Sequence, residues 1–357
     1  MHKFFEIGST VSIMIKTRLI LLSLSLALLC SGFSFVFAQE YEIGRSDFEK
    51  YRENKIAEIT QKTGGYRLPS APFALLHPSR TKYSALLIHG LNDSPYYLKD
   101  IAQILFDRGF NVITVLLPAH GLTLLEMKQV SYLDWIREVQ LGLRLAAQVG
   151  ENVTVGGFSA GGLLAISSAL SFESVKGLFL FAPALKIKSV SGLGNRTAAL
   201  TCISGINRIT YDSEVGNSPV KYGTRAVNGA CQVIQLVDHV YNLVGSDIYL
   251  NDADNVLVKI GARLNVPTFL TVTTSDLHLN SRSIVEFGRA LRGNKSVLVY
   301  SPETLDIYPF LGLKVITGYD IEHAAVVLES NAYNRQFNPG FYHIRESMNE
   351  FLRLNFL

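Results

Sequence analysis

The chain has 357 residues, 48% of them hydrophobic and 18% charged, with a formal net charge of +3. Lys3, Lys16, Arg18 and Glu6 lie in the first 38 residues, so the remainder is close to neutral and has no basic cluster of the kind that follows a nucleic acid. The composition excludes a disordered chain, no internal repeat is visible, and the length suits one large α/β domain with an insertion or two small domains.

The first element is a targeting segment. Lys16 and Arg18 precede the apolar run LILLSLSLALLC (19–30), then SGFSFVFA (31–38). A basic flank, an apolar core and Val36 and Ala38 at the −3 and −1 positions describe an export signal cleaved before Gln39. Met14 offers an alternative start. The rival is an uncleaved anchor, since 19–38 just reaches the length of a membrane span. Cys30 would suit lipidation, but Leu29 before it is bulky where a small residue is expected.

Residues 39–66 are polar, with SDFE (46–49) as a capping box at a helix start and Phe48, Tyr51, Ile56 and Ile59 as an apolar stripe, which predicts one short helix. From residue 67 the texture changes. FALLH (73–77), YSALLIHG (83–90), NVITVLLP (111–118), NVTVGGF (152–158) and GLFLFAPA (177–184) read as strands. YYLKDIAQILFDRG (96–109) and YLDWIREVQLGLRLAAQ (132–148) read as helices, and another runs through LLAISSAL (163–170). Apolar strands without polar alternation, separated by helices, indicate a parallel sheet covered on both faces.

Residues 185–262 interrupt this rhythm. The block is rich in Ser, Asn, Gly and Thr, contains a helical stretch at 230–244, and reads as an insertion over the sheet. Its Cys202 and Cys231 form an even pair that suits a disulfide in an exported protein, against the alternative of two separate buried thiols. Alternation resumes with strands at 266–274, 296–301 and 313–318, a helix at 282–291, and a closing helix at 339–354 behind Pro339.

Chemistry concentrates at Gly157-Phe158-Ser159-Ala160-Gly161, a G-x-S-x-G sequence between a strand and a helix. The turn is too tight for side chains at Gly157 and Gly161, and it leaves the serine hydroxyl exposed above the sheet. Gly156 and Gly162 suit close strand and helix packing. An oxyanion needs two pre-aimed donors: the Ala160 N–H at the helix start and the Leu91 N–H after His89-Gly90, where Gly90 lets the backbone approach. His89 is read as support for that loop.

The acid and base of such a site follow in the order Ser, acid, His. Asp276 ends a strong strand, with a helix N-cap as its alternative role; Asp306 and Asp320 compete. His323 is the expected base, ahead of His343 in the terminal helix and His278, too near Asp276 in sequence. Ser159 would attack a carbonyl, His323 would move its proton, and Asp276 would orient the imidazole. Nucleotide, zinc and haem motifs are absent from the sequence, and no metal is expected.

In order and spacing, IHGLNDSPYYLKDIAQIL, LLPAHG and GGFSAGG resemble the α/β-hydrolase superfamily, most of all its carboxylesterase and monoacylglycerol-lipase (serine-hydrolase lysophospholipase) branch. The resemblance covers 73–184 closely and 264–329 loosely. It implies an eight-stranded, mostly parallel sheet flanked by helices, a helical cap, and ester hydrolysis without a cofactor. It supports Ser159, Asp276 and His323, with Leu91 and Ala160 as oxyanion donors. SPVKYGTRAVNGACQVIQLV resembles a lid helix over an acyl pocket.

One departure stands out. In such enzymes the histidine follows the last strand closely, whereas 302–318 (PETLDIYPFLGLKVITG) adds an extra strand or loop before His323. The expected division is a leader at 1–38, a helical extension at 39–66, a core at 67–184 and 263–357, and a cap at 185–262. The expected partner is a small acyl ester, lipid esters included, with the N-terminal segment as a route to membrane association. A peptidase, amidase or thioesterase on the same residues is a second reading, and a non-catalytic binding protein on the same scaffold is a third.

Overall fold

The computed structural model describes residues 39–188, 202, 209–212, 218–246, 253–333 and 336–357. The leader expected at 1–38 lies outside the described residues. Eight strands form one sheet: β1 (Ala74–Leu75), β2 (Thr81–Ile88), β3 (Asn111–Val115), β4 (Gly150–Phe158), β5 (Val175–Phe181), β8 (Thr268–Thr273), β9 (Lys295–Ser301) and β10 (Leu313–Thr317). Their order is β1-β3-β2-β4-β5-β8-β9-β10, with β1 antiparallel to β3 and every other pairing parallel. This is the expected eight-stranded, mostly parallel sheet of an α/β-hydrolase fold.

The central strands are buried on both faces, which is why they read as continuous apolar runs. Helix α4 (Tyr132–Val149) begins at a capping box, with Ser131 Oγ accepting from Leu133 N–H and Asp134 accepting from Ser131 N–H. Its Trp135, Val139, Gly142, Leu145, Ala146 and Val149 face the sheet at helical spacing. Gly142 sits so close that an added Cβ would lie 2.7 Å from Leu86 Cδ1.

The N-terminal helix departs from expectation. It runs over 39–63, so Ser46 lies inside it and caps nothing. Tertiary contacts recruit the earlier turns: Tyr41 is buried and donates to His77 O, and Gly44 rests on Gln148. The strand read through Pro118 ends at Val115 because side chains replace the ladder. Leu116 N–H donates to Tyr51 Oη at 3.0 Å and Leu117 N–H to His89 Nε2 at 3.1 Å. FALLH shrinks to the two-residue edge strand β1, and the helix read from 96 opens as a 3-10 turn, Pro95–Leu98, before α2 (Lys99–Phe106).

Between β5 and β8 the described residues form an antiparallel pair, β6 (Thr210–Asp212) and β7 (Thr224–Ala226), and a helix, α6 (Val227–Asn242). Cys202 and Cys231 are joined by a disulfide, with Cα atoms 5.4 Å apart. Helix α7 (Ala253–Arg263) ends the block and packs on α8 (Ser281–Ala290); Gly261 closes on the Phe287 carbonyl. Among the described residues no helix is long and apolar enough to cross a membrane.

Candidate active site

Ser159 follows β4 directly and stands before α5 (Ala160–Ser171) with φ 55° and ψ −117°, a conformation strained for any residue with a Cβ. Backbone bonds hold the turn: Ser159 N–H donates to Phe181 O at 2.9 Å, and Ser159 O accepts from Ala184 N–H at 3.0 Å. A Cβ on Gly157 would lie 2.2 Å from the Gly161 carbonyl carbon, and one on Gly161 would lie 2.0 Å from Ile88 O. Both glycines therefore let α5 seat its first turn on the ends of β4 and β2.

The two strands are neighbours in register, Ile88 opposite Gly157. The loop after β2 thus arrives beside Ser159, where the strand order reverses direction, the usual place for a site in an open parallel sheet. In that loop Gly90–Asp93 form a turn, with Asp93 N–H donating to Gly90 O at 3.3 Å and Asn92 at φ 63°. Ala160 occupies the first position of α5, where an N–H has no intrahelical acceptor.

Asp276 follows β8 and His323 follows β10. His323 Nδ1 lies 2.5 Å from Asp276 Oδ2, and its Nε2 lies 2.9 Å from Ser159 Oγ. Asp276 is buried and its other oxygen accepts from His278 N–H and Leu279 N–H at 2.8 and 2.9 Å. Burial raises its proton affinity, but the hydrogen bond and charge of His323 and these two N–H groups outweigh it and hold the carboxyl below its ordinary range. With Asp276 ionised, Nδ1 of His323 is the donor and Nε2 is left to accept from the serine hydroxyl.

The segment 302–318, expected as an extra strand or loop, contains β10, the eighth strand of the sheet, which pairs with β9 at its edge. His323 therefore follows the last strand after all. The chain then doubles back over the strand ends, pinned by Thr273 Oγ1 donating to Ile321 O at 2.7 Å, with Ile321 and Ala324–Leu328 buried. Asp306 and Asp320 are exposed, and His343 packs on Tyr319 and Tyr342 in the closing helix, α9 (Phe341–Asn355). His278 stands edge-on to His323 at 5.6 Å; burial and the charge of His323 lower its proton affinity, Asp276 raises it in part, and Arg225 and Lys221 lower it further.

His89 is fully buried and donates through Nδ1 to Gly90 O at 2.8 Å. Sequence reasoning gave no role to His120, which is buried against it at 4.8 Å between ring centres and accepts Asn92 N–H at 3.1 Å through Nε2. Burial depresses both, His89 to about 4 and His120 to about 3, so both stay neutral with Nε2 free to accept. The signal was available: His120 stands in an otherwise apolar run, LLPAHG. Lys221, Asp93 and Tyr222 were likewise given no role of their own. Among the described residues no group of His, Cys, Asp and Glu could hold a metal ion.

The family model described as serine aminopeptidase, S33 (a hydrolase family), matches residues 79–303, more than half of the chain. The chain belongs to this family. A thermostable monoacylglycerol lipase of Bacillus sp. (strain H-257) is 26% identical to this S33-family hydrolase over 106 residues, 30% of the chain. The match spans 42% of that relative's length, less than half of it. Solved structures share the fold. A chain from LipS and LipT, two metagenome-derived lipolytic enzymes, aligns with a TM-score of 0.57 at 16% identity, covering 80% of this chain and 98% of its own. A soluble variant of the monoglyceride lipase from Saccharomyces cerevisiae aligns with a TM-score of 0.56 at 14% identity, covering 80% and 90%.

Proposed function

We propose that this S33-family hydrolase cleaves carboxylic esters, with monoacylglycerols and lysophospholipids as the substrate class, through Ser159, His323 and Asp276. The observation that carries the reading is the continuous hydrogen-bonded line from Asp276 through His323 to Ser159 Oγ. Ser159 Oγ attacks the acyl carbon as His323 Nε2 takes its proton, and Asp276 offsets the imidazolium charge. The Leu91 and Ala160 N–H groups receive the oxyanion. The alcohol leaves with the proton from Nε2, and a water activated by the same nitrogen hydrolyses the acyl-enzyme.

Two further observations favour an ester over an aminoacyl amide. An aminopeptidase needs a carboxylate to hold the substrate amine; beyond Asp276, which already holds His323, the charges acting on His278 include those of the cations Arg225 and Lys221. The Asp93 carboxylate is already bound to Lys221. The intact line speaks against a purely binding role. The division into core and cap, and an exported protein whose residues 1–38 are either cleaved or kept as a membrane anchor, belong to the same proposal; N-terminal sequencing of the exported protein reads out the last point.

The test is labelling with a fluorophosphonate followed by mass spectrometry, alongside hydrolysis of p-nitrophenyl esters, monoacylglycerols and aminoacyl amides. Label is expected on Ser159, ester turnover should exceed amide turnover, and Ser159→Ala should lose about 10³-fold or more of kcat. Full activity in Ser159→Ala, or faster amide than ester cleavage, would overturn the reading.

A further inference from the structure

Beside the site, the insertion reaches the loop after β2 through a buried ion pair. Lys221 Nζ lies 2.9 Å from Asp93 Oδ1, with 5% and 4% of the two side chains exposed. The ammonium also faces the Tyr97 ring at 4.9 Å. One residue on, Tyr222 N–H donates to Asn92 O at 3.1 Å. The Tyr222 hydroxyl donates to Ala119 O at 3.0 Å and accepts Leu122 N–H at 2.9 Å. Pro219 and Lys221 are held in turn from the other side, by Ser70 Oγ and Arg67.

These contacts bracket one peptide. Gly90 O accepts from His89 Nδ1–H and from Asp93 N–H. The Asp93 carboxylate stands over Gly90, 2.8 Å from where a Cβ would be. Asn92 N–H is taken by His120 and Asn92 O by Tyr222. The Leu91 N–H lies between these fixed points. Burying two charges recovers little or no net stability compared with two apolar side chains of similar shape, so stability alone is a poor account of the pair.

We infer that Lys221 and Asp93 are positioning residues: their buried ion pair makes the insertion aim the Leu91 N–H at the developing oxyanion. This rests on the ester-hydrolase reading of Ser159. An oxyanion donor acts on the transition state more than on the bound substrate, so loosening it lowers kcat and leaves KM nearly unchanged. A displacement of about 1 Å is enough for a loss on the order of 100-fold.

The experiment compares the wild type, Lys221→Met, Asp93→Asn and the double variant Lys221→Met with Asp93→Leu, which replaces both charges by apolar groups. Each is assayed for kcat and KM on one p-nitrophenyl ester, for inhibition by a boronic acid that mimics the tetrahedral adduct, and for thermal unfolding. The expected result is a loss of about 10–100-fold in kcat in all three, KM within about threefold of wild type, and boronate affinity falling in step with kcat. The double variant should recover most of the unfolding temperature without recovering kcat. A double variant with wild-type kcat overturns the positioning role, as does a loss confined to KM. A wild type that neither turns over esters nor takes the serine label overturns the reading beneath it, and this inference with it; an active, labelled wild type beside unaffected variants overturns the inference alone.

Discussion

Lowering the pH from 7 to 5 should destabilise the fold through His89 and His120. Each is buried and accepts a backbone N–H at Nε2, so the folded protein binds a proton on them only near pH 4 and pH 3. In the unfolded chain both titrate near pH 6.5. Between these limits the unfolded state holds about two more protons, so stability rises with pH and falls on acidification. The slope is about 1.4 kcal/mol per proton per pH unit, and the loss by pH 5 is about 2 kcal/mol for each histidine, about 4 kcal/mol together. That is a large part of the stability of an ordinary domain. Asp276 works elsewhere on the scale: its carboxyl is held low, so its contribution is lost only below about pH 4. Urea unfolding at half-unit pH steps measures the effect. His120→Gln keeps an acceptor for Asn92 N–H and removes one titration, so the gap in stability between pH 7 and pH 5 should shrink by about 2 kcal/mol. A wild-type midpoint that is flat from pH 7 to 5, or a variant that keeps the full slope, would refute the reasoning.

Three further outcomes follow from particular contacts. Gly161→Ala places a Cβ 2.0 Å from Ile88 O, so it should abolish a native near-ultraviolet dichroism spectrum; a soluble variant with native dichroism would show that α5 can shift. Tyr51→Phe removes the acceptor of Leu116 N–H and a donor to Glu138, and should cost about 1–3 kcal/mol in urea unfolding; an unchanged midpoint would mean that the N-terminal helix contributes nothing through this group. Replacing Cys202 and Cys231 by serine should cost about 3–4 kcal/mol, from the loop of 29 residues that the disulfide closes in the unfolded chain. Thiols at both positions that react after unfolding without reductant would refute the bond.

The nucleophile turn was legible because its causes are local. A β-branched run, paired glycines and a small-residue helix start specify a strand, a sharp turn and a helix within ten residues, and Gly157 and Gly161 contact each other across that turn. The parallel sheet was legible for a related reason, since strands buried on both faces cannot alternate with polar residues. Element ends were less so. Leu116 and Leu117 look like strand, but their N–H groups go to Tyr51 and His89, side chains that come from 65 and 28 residues away. Ser46 and Glu49 look like a helix start, yet packing of Tyr41 and Gly44 carries the helix back to residue 39.

By itself, then, the sequence determined which residues have the chemistry for the site and the order in which they occur. The tertiary structure decided which of them meet. Asp276 and His323 lie 47 residues apart, and only the pairing of β10 with β9 and the return of 321–328 across the strand ends bring the imidazole to the carboxylate. Asp276, Asp306 and Asp320 on one side and His278, His323 and His343 on the other were all candidates by position; sheet order selected one of each, because a side chain reaches a partner through space, and chain spacing does not encode that distance. The same holds for Lys221 and Asp93. Neither carries a local pattern, and their pairing exists only because the insertion folds back onto the loop beside Ser159.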